Sequence, residues 1–146
     1  MMERGFIPTR RGFLGLAVAG AGLAALGSPA KAAKVATKAK IVVIGAGAAG
    51  TALVNRLVER LDGAEITIID ARKEHLYQPG LSLVAAGLKP ANYTVSQTTD
   101  WLPKGVTLLA EKAAAIDPLA KTVSTEGGTK LAYDFLIVAP GLVLDY

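Results

Sequence analysis

The sequence predicts an α/β fold in which a parallel sheet contains a strand–helix–strand unit. Residues 41–44 are four apolar β-branched side chains in a row, as is typical of a parallel strand buried on both faces. A glycine-rich pattern follows at residues 45–50. A helical apolar pattern and a second β-branched strand, which ends at Asp70, complete the unit. These observations together predict a Rossmann-like domain.

The glycine pattern and the acid after the second strand predict a dinucleotide site. Gly45 permits a tight turn, Gly47 lets a pyrophosphate approach the backbone, and Gly50 lets the helix lie close to the strand. The free amides and the positive end of the helix dipole then face the phosphates. Asp70 lies twenty residues after Gly50, where a carboxylate can accept hydrogen bonds from an adenosine ribose. The alternative is a βαβ unit that binds no ligand.

The helix of this unit is predicted to open at the end of the glycine pattern and to continue over 51–61. Its apolar residues recur on one face, namely Leu53, Leu57, Val58 and Leu61. Gly63 is expected to end the helix, and residues 65–69 are predicted to form the second strand.

Composition narrows the function classes. The chain has 146 residues, about one domain, and 51% are hydrophobic, which is enough for a core. Its net charge is +4, but residues 1–32 hold four basic residues and one acidic, which leaves 12 basic and 11 acidic after them. Without a basic stripe, nucleic-acid binding is not predicted. Cysteine is absent and there is one histidine, so we expect no disulfide, no cysteine chemistry and no metal site in these residues.

The first 32 residues have the three parts of an export signal. Arg10 and Arg11 precede an apolar run rich in glycine and alanine, and an A-x-A site follows. The paired arginines predict the twin-arginine route, with cleavage after Ala32. The alternative is an uncleaved membrane anchor, although the apolar run of roughly fifteen residues is shorter than a membrane span. The predicted organisation is a signal over 1–32, a linker over 33–39 and the folded domain over 40–146.

The second half is predicted to leave the simple βαβ pattern. Residues 75–80 are turn-prone, and 81–88 indicate a short helix. Residues 93–101 indicate a loop and a short helix, and 106–110 a third parallel strand. The sequence then predicts an antiparallel meander over 113–117, 121–125 and 130–133. A last buried strand is predicted over 135–139.

These segments carry a family resemblance. The chain resembles the sulfide:quinone oxidoreductases, within the wider group of flavoproteins that have two dinucleotide-binding domains. Four segments carry the resemblance, in order along residues 40–146: the glycine turn with Asp70, 75–79 with 83–87, 111–113 with 116–118, and 133–141 running on to 144–146. The second of these is the most specific.

The resemblance implies that the cofactor is FAD and that residues 40–146 are a truncated FAD-binding domain. It places the pyrophosphate on the glycine turn, the adenosine ribose at Asp70 and the adenine at the backbone of Ala113. The cofactor-binding residues that it implies are Gly45, Gly47, Ala48, Ala49, Gly50, Asp70, Ala71, Gln78, Ala113, Ala139 and Gly141. His75 and Pro79 would lie nearby.

Several of these residues have an alternative structural role. His75 can bond a backbone carbonyl, Gln78 can cap the following segment, and residues 140–141 can form an ordinary turn. Arg72 and Lys73 could indicate the 2′-phosphate of NADP, but the carboxylate of Asp70 would repel it. We therefore interpret both cations as solvated loop charges.

The resemblance also implies an activity: sulfide is oxidised through a cysteine disulfide, and electrons pass through FAD to quinone. The cysteine pair, the second domain and the quinone pocket are not among these 146 residues. We therefore expect a truncated N-terminal piece, inactive alone, that holds the cofactor and carries no catalytic residue. We expect a periplasmic parent protein, with peripheral membrane contact through a C-terminal part.

Three alternatives remain at this point. The parent could be the flavoprotein subunit of a flavocytochrome c sulfide dehydrogenase, which passes electrons to a c-type cytochrome. It could be a type II NADH dehydrogenase, although an export signal counts against this because NADH is cytoplasmic. The chain could also be a non-catalytic cofactor-binding fragment.

Overall fold

The computed structural model describes residues 33–142. The predicted export signal at 1–32 and the end of the resemblance at 144–146 lie outside the described residues. Within the described range, none of the helices has the length and apolar character needed to cross a membrane.

The described residues form eleven strands, two α-helices and three short 3₁₀ helices. The strands are β1 (Val35–Ala36), β2 (Lys40–Ile44), β3 (Leu61–Asp62), β4 (Glu65–Ile69), β5 (Glu74–Leu76), β6 (Val95–Gln97), β7 (Val106–Leu109), β8 (Ala113–Asp117), β9 (Thr122–Thr125), β10 (Lys130–Ala132) and β11 (Phe135–Val138). The α-helices are α1 (Ala48–Arg60) and α2 (Leu81–Ala85). Short 3₁₀ helices occupy Gln78–Gly80, Ala91–Thr94 and Thr98–Trp101.

A four-stranded parallel sheet forms the centre of the domain, in the order β11-β2-β4-β7. The predicted parallel sheet is thus confirmed. β2 lies between β11 and β4, and its residues from Ile41 to Ile44 are buried because both faces of the sheet are covered.

Helix α1 covers one face of the sheet. Val54, fully buried, packs in a cluster with Val43 and Ile68 from the two central strands. The helix begins at Ala48, where the glycine turn leads directly into it and alanine favours helix. It ends at Arg60, and Gly63 follows with a φ of +85°.

The antiparallel meander covers the opposite face. β8 pairs with β9 and β9 with β10, as the sequence predicts. Val123 of β9 is fully buried and packs with Val42, Ile44 and Ile69, which are the alternate residues of the central strands. Each central strand therefore contributes side chains to two separate apolar layers, as the two-residue period of a strand requires.

Two pairings differ from the expectation. The segment 33–39, expected to be a linker, contains β1, which pairs in parallel with β3. The turn-prone segment at His75 contains β5, which pairs with β6, a stretch expected to be a loop. Both pairings form because backbone donors and acceptors of these short segments find partners far away in the sequence.

One contact joins the two ends of the domain. The Lys40 N–H donates to Oδ2 of Asp134 (2.7 Å), and the Asp134 N–H donates to the Lys40 carbonyl oxygen (2.8 Å). The pair fixes the parallel register of β11 beside β2, because Asp134 directly precedes β11.

Candidate dinucleotide-binding site

The candidate site lies at the carboxyl ends of β2, β4 and β11. From β2, the chain first builds the sheet on one side with β4 and β7, and later adds β11 on the other side. The strand order therefore reverses between β2 and β11. In open α/β sheets, ligands bind in the crevice at the carboxyl ends beside such a reversal.

Gly45 forms the turn after β2 with a φ of +102°, a conformation that favours glycine. Its N–H donates to the Ile69 carbonyl oxygen (2.8 Å), which ties the turn to β4. On its other side, a Cβ on Gly45 would lie 2.9 Å from the Cα of Pro140 and would overlap the carbonyl of Ala139. The Ala139 N–H in turn donates to the Ile44 carbonyl oxygen (2.8 Å). The turn is thus held between two neighbouring strand ends.

Gly47 is the N-cap of α1 and contributes no capping side chain. The first turn of the helix, which begins with Ala48 and Ala49, holds no acidic residue. Among residues 33–142, a Cβ on Gly47 would have only Nη2 of Arg72 within 4 Å, at 3.9 Å. The space over Gly47 is therefore bordered by one flexible cationic side chain and lies beside uncapped helix amides and the positive end of the helix dipole, an arrangement suited to an anion.

Asp70 follows β4 and points back to the glycine turn. The Ala46 N–H donates to its Oδ2 (2.7 Å), and the Arg72 N–H donates to its Oδ1 (2.9 Å). The Arg72 guanidinium donates through Nε to Oδ1 (3.1 Å) and through Nη2 to Oδ2 (2.8 Å). The Asp70 side chain is 8% exposed, whereas that of Arg72 is 62% exposed.

The environment of Asp70 favours its ionised form. Burial acts to raise the pKa of this carboxyl, but the hydrogen bonds from Arg72 and Ala46 and the positive charge of Arg72 act in the opposite direction. The net effect is a pKa below that of an ordinary aspartate. The same pairing raises the pKa of the Arg72 guanidinium.

The structure brings part of the predicted site together. Gly45, Gly50, Asp70 and Ala139 meet around the turn after β2 through the contacts described above. The remaining predicted residues are further along the chain. Ala71 and Gly141 are exposed loop residues, Ala113 begins β8, and Gln78 begins a 3₁₀ helix with an exposed side chain.

Sequence reasoning missed two residues at this site. Ala46 supplies an amide to Asp70, and Arg72, interpreted as a solvated charge, is instead paired with Asp70. That pairing has a local cause: the Arg72 amide closes a turn on Oδ1 of the aspartate two residues before it. An aspartate side chain commonly accepts a hydrogen bond from the backbone N–H two residues later in the chain. The spacing of Asp70 and Arg72 was therefore the sequence signal that could have identified the pair.

The donors and the shape of the site suit the adenosine and diphosphate part of a dinucleotide. The space over Gly47 and the uncapped amides suit the diphosphate, and an ionised carboxylate at the end of the second strand suits a ribose. Among the residues that the structure describes, no group of three histidine, cysteine or acidic side chains could hold a metal ion. Fold and site together define a dinucleotide-binding α/β domain.

The chain belongs to the pyridine nucleotide-disulphide oxidoreductase family, which matches residues 39–143. This family comprises FAD-dependent oxidoreductases, so FAD is the cofactor of this domain.

The relatives include several sulfide oxidoreductases. The chain is 32% identical over 107 residues to the mitochondrial sulfide:quinone oxidoreductase of Mus musculus, covering 73% of this chain and 24% of the relative. It is 34% identical over 102 residues to the sulfide-quinone reductase of Aquifex aeolicus, covering 69% and 24%. The solved sulfide:quinone oxidoreductase structure from Aquifex aeolicus superposes with a TM-score of 0.65 at 29% identity, over 74% of this chain and 25% of that one. The chain thus spans about a quarter of these relatives.

Proposed function

We propose that this chain is the FAD-binding part of an oxidoreductase that transfers electrons from sulfide to quinone. The observation that carries the proposal is the glycine turn held against Asp70 and Ala139, in a chain whose relatives include sulfide:quinone oxidoreductases. FAD supplies the electron chemistry when bound. The residues described here contribute binding and orientation of the cofactor.

The proposed role of each part follows from its chemistry. The amides that open α1 and the space over Gly47 bind the diphosphate, and Asp70 accepts hydrogen bonds from the adenosine ribose. Ala113 meets the adenine through its backbone, and Ala139 lies against the cofactor at the end of β11. The other proposed contacts are Ala48, Ala49, Ala71, Gln78 and Gly141.

Anaerobic titration of the full-length protein tests the proposed substrate. Addition of sulfide should bleach the visible absorbance of the bound flavin, and a soluble quinone should restore it. NADH serves as the control reductant. Bleaching by NADH but not by sulfide would contradict the proposal and favour an NADH-dependent enzyme. Reoxidation by cytochrome c but not by quinone would favour a flavocytochrome-type partner.

We also propose that residues 1–32 direct the folded protein through the twin-arginine route to the periplasm. The sequence carries this proposal, through Arg10 and Arg11 and the A-x-A site. Replacing both arginines by lysine keeps the charge and should abolish export, measured by fractionation of the full-length protein. Undiminished periplasmic protein in that double variant would contradict the twin-arginine assignment.

A further inference from the structure

The Asp70 carboxylate has no hydrogen-bonding capacity left in this structure. An ionised carboxylate offers about four lone-pair positions. Two are filled by the backbone amides of Ala46 and Arg72, at 2.7 Å and 2.9 Å. The other two are filled by Nε and Nη2 of the Arg72 guanidinium, at 3.1 Å and 2.8 Å. A ribose hydroxyl therefore cannot bond Asp70 while the guanidinium remains there.

The two pairs of bonds differ in how easily they break. The amide bonds belong to the glycine turn and to the local turn at 70–72, so breaking them would deform the backbone. The guanidinium bonds belong to one long side chain that is 62% exposed. Moving this side chain breaks no backbone hydrogen bond, and water can solvate the released guanidinium. Ribose hydroxyls can therefore displace the guanidinium.

The guanidinium already lies beside the space that the diphosphate would occupy. Nη2 of Arg72 is 3.9 Å from the position of a Cβ on Gly47. When the guanidinium leaves Asp70, its positive charge would lie next to the negative charge of the diphosphate. The guanidinium therefore exchanges one anionic partner for another.

We propose that the Arg72 guanidinium and the adenosine ribose of FAD bind Asp70 in exchange for one another. In the flavin-free protein Arg72 satisfies the buried carboxylate, and flavin binding replaces its two bonds by bonds from the ribose hydroxyls. This inference rests on the proposed adenosine site and adds to it a residue that sets how strongly the site distinguishes a ribose from a deoxyribose.

The test compares ADP with 2′,3′-dideoxy-ADP as competitors of FAD rebinding to the flavin-free full-length protein, followed by flavin fluorescence. Both probes carry the same diphosphate, so the ratio of their dissociation constants isolates the contribution of the ribose hydroxyls to binding. We call this ratio the preference for ADP. In Arg72→Gln the preference for ADP should rise by about two- to fivefold, because nothing competes for Asp70. In Asp70→Asn the preference should fall close to one.

Lys73→Gln is the matched control. It removes a neighbouring cation that forms no ion pair within residues 33–142, and it should leave the preference unchanged. Arg72→Lys keeps the charge without the two-pronged geometry and should give an intermediate preference. An unchanged or lower preference in Arg72→Gln would overturn the exchange while leaving the adenosine site in place. Failure of ADP to compete with FAD at all would overturn both.

Discussion

The carbonyl of Gly45 occupies the space that a side chain on Gly50 would fill. A Cβ added to Gly50 would lie 3.0 Å from the Gly45 carbonyl carbon and closer still to its oxygen. A Cβ on Gly47, between them, would meet only the flexible end of the Arg72 side chain among the described residues. The glycines of one motif therefore have different physical roles: Gly45 and Gly50 permit the close packing of turn and helix, whereas Gly47 leaves room for a ligand.

Gly50→Ala should destabilise the fold itself. The added methyl must push α1 away from the turn, which costs about 1–3 kcal/mol. The midpoint of chemical denaturation of the flavin-free full-length protein measures the effect. Gly47→Ala is the control, since its methyl would meet only the end of the flexible Arg72 side chain at 3.9 Å. Equal midpoints for the two variants would show that the helix does not depend on this contact.

Gly47→Val should abolish flavin retention while the domain stays folded. The branched side chain projects into the space assigned to the diphosphate, and FAD binding should weaken by at least about tenfold, or about 1.4 kcal/mol. The flavin-to-protein absorbance ratio after purification measures retention, and circular dichroism measures folding. A folded variant with full flavin content would place the diphosphate elsewhere.

Asp70→Asn should flatten the acid dependence of stability. The folded-state pKa of Asp70 lies below that of an unfolded aspartate, so its stabilising contribution is present above about pH 4 and is lost as the pH falls through the folded-state pKa. The melting temperature of the wild-type, flavin-free protein should therefore drop more steeply from pH 5 to pH 3 than that of Asp70→Asn.

The size of this acid effect should be below about 1 kcal/mol, because the partner of Asp70 is largely exposed to solvent. Arg72→Gln retains the carboxylate of Asp70 but removes the guanidinium that stabilises its ionised form. The melting temperature of this variant should fall with pH less steeply than that of wild type and more steeply than that of Asp70→Asn. Parallel melting curves for wild type and Asp70→Asn would contradict the depressed pKa.

Ile68→Ala should test the apolar layer between α1 and the sheet. Ile68 is fully buried beside Val43 and Val54, and its truncation should lower the free energy of unfolding by about 2–5 kcal/mol. Leu119→Ala is the matched control, because Leu119 is 98% exposed and its change should stay within about 0.5 kcal/mol. If both variants lost a similar free energy of unfolding, burial of the Ile68 side chain would not be the source of its stabilising effect.

The central elements could be predicted from local sequence, and the reason is their hydrophobic patterning. β2, β4 and β7 are short segments rich in β-branched and apolar residues, and the meander is marked by turn residues. The pairing of β5 with β6 could not be predicted from local sequence. Each strand has only three residues, and neither has a buried side chain that would give a hydrophobic pattern. Only a partner distant in the sequence stabilises such strands.

The same limit applies to the site. The positions of the glycines and of Asp70 follow from the requirements of the backbone, which a motif records. The position of the Arg72 guanidinium follows from a choice among many side-chain rotamers, and only the folded surroundings decide that choice. The sequence therefore predicted a carboxylate at the site but not the cation that holds it.

The contact between Lys40 and Asp134 has a consequence for the growing polypeptide on the ribosome. The two residues are 94 positions apart, and Asp134 introduces the strand that gives β2 its second neighbour. During synthesis, β2 therefore emerges long before β11 exists, and one hydrogen-bonding edge of the nascent sheet stays open for that interval. Pairs so distant in sequence also close slowly after release. Until the strand beginning at Phe135 has been made, that open edge is a site where another chain could pair with β2.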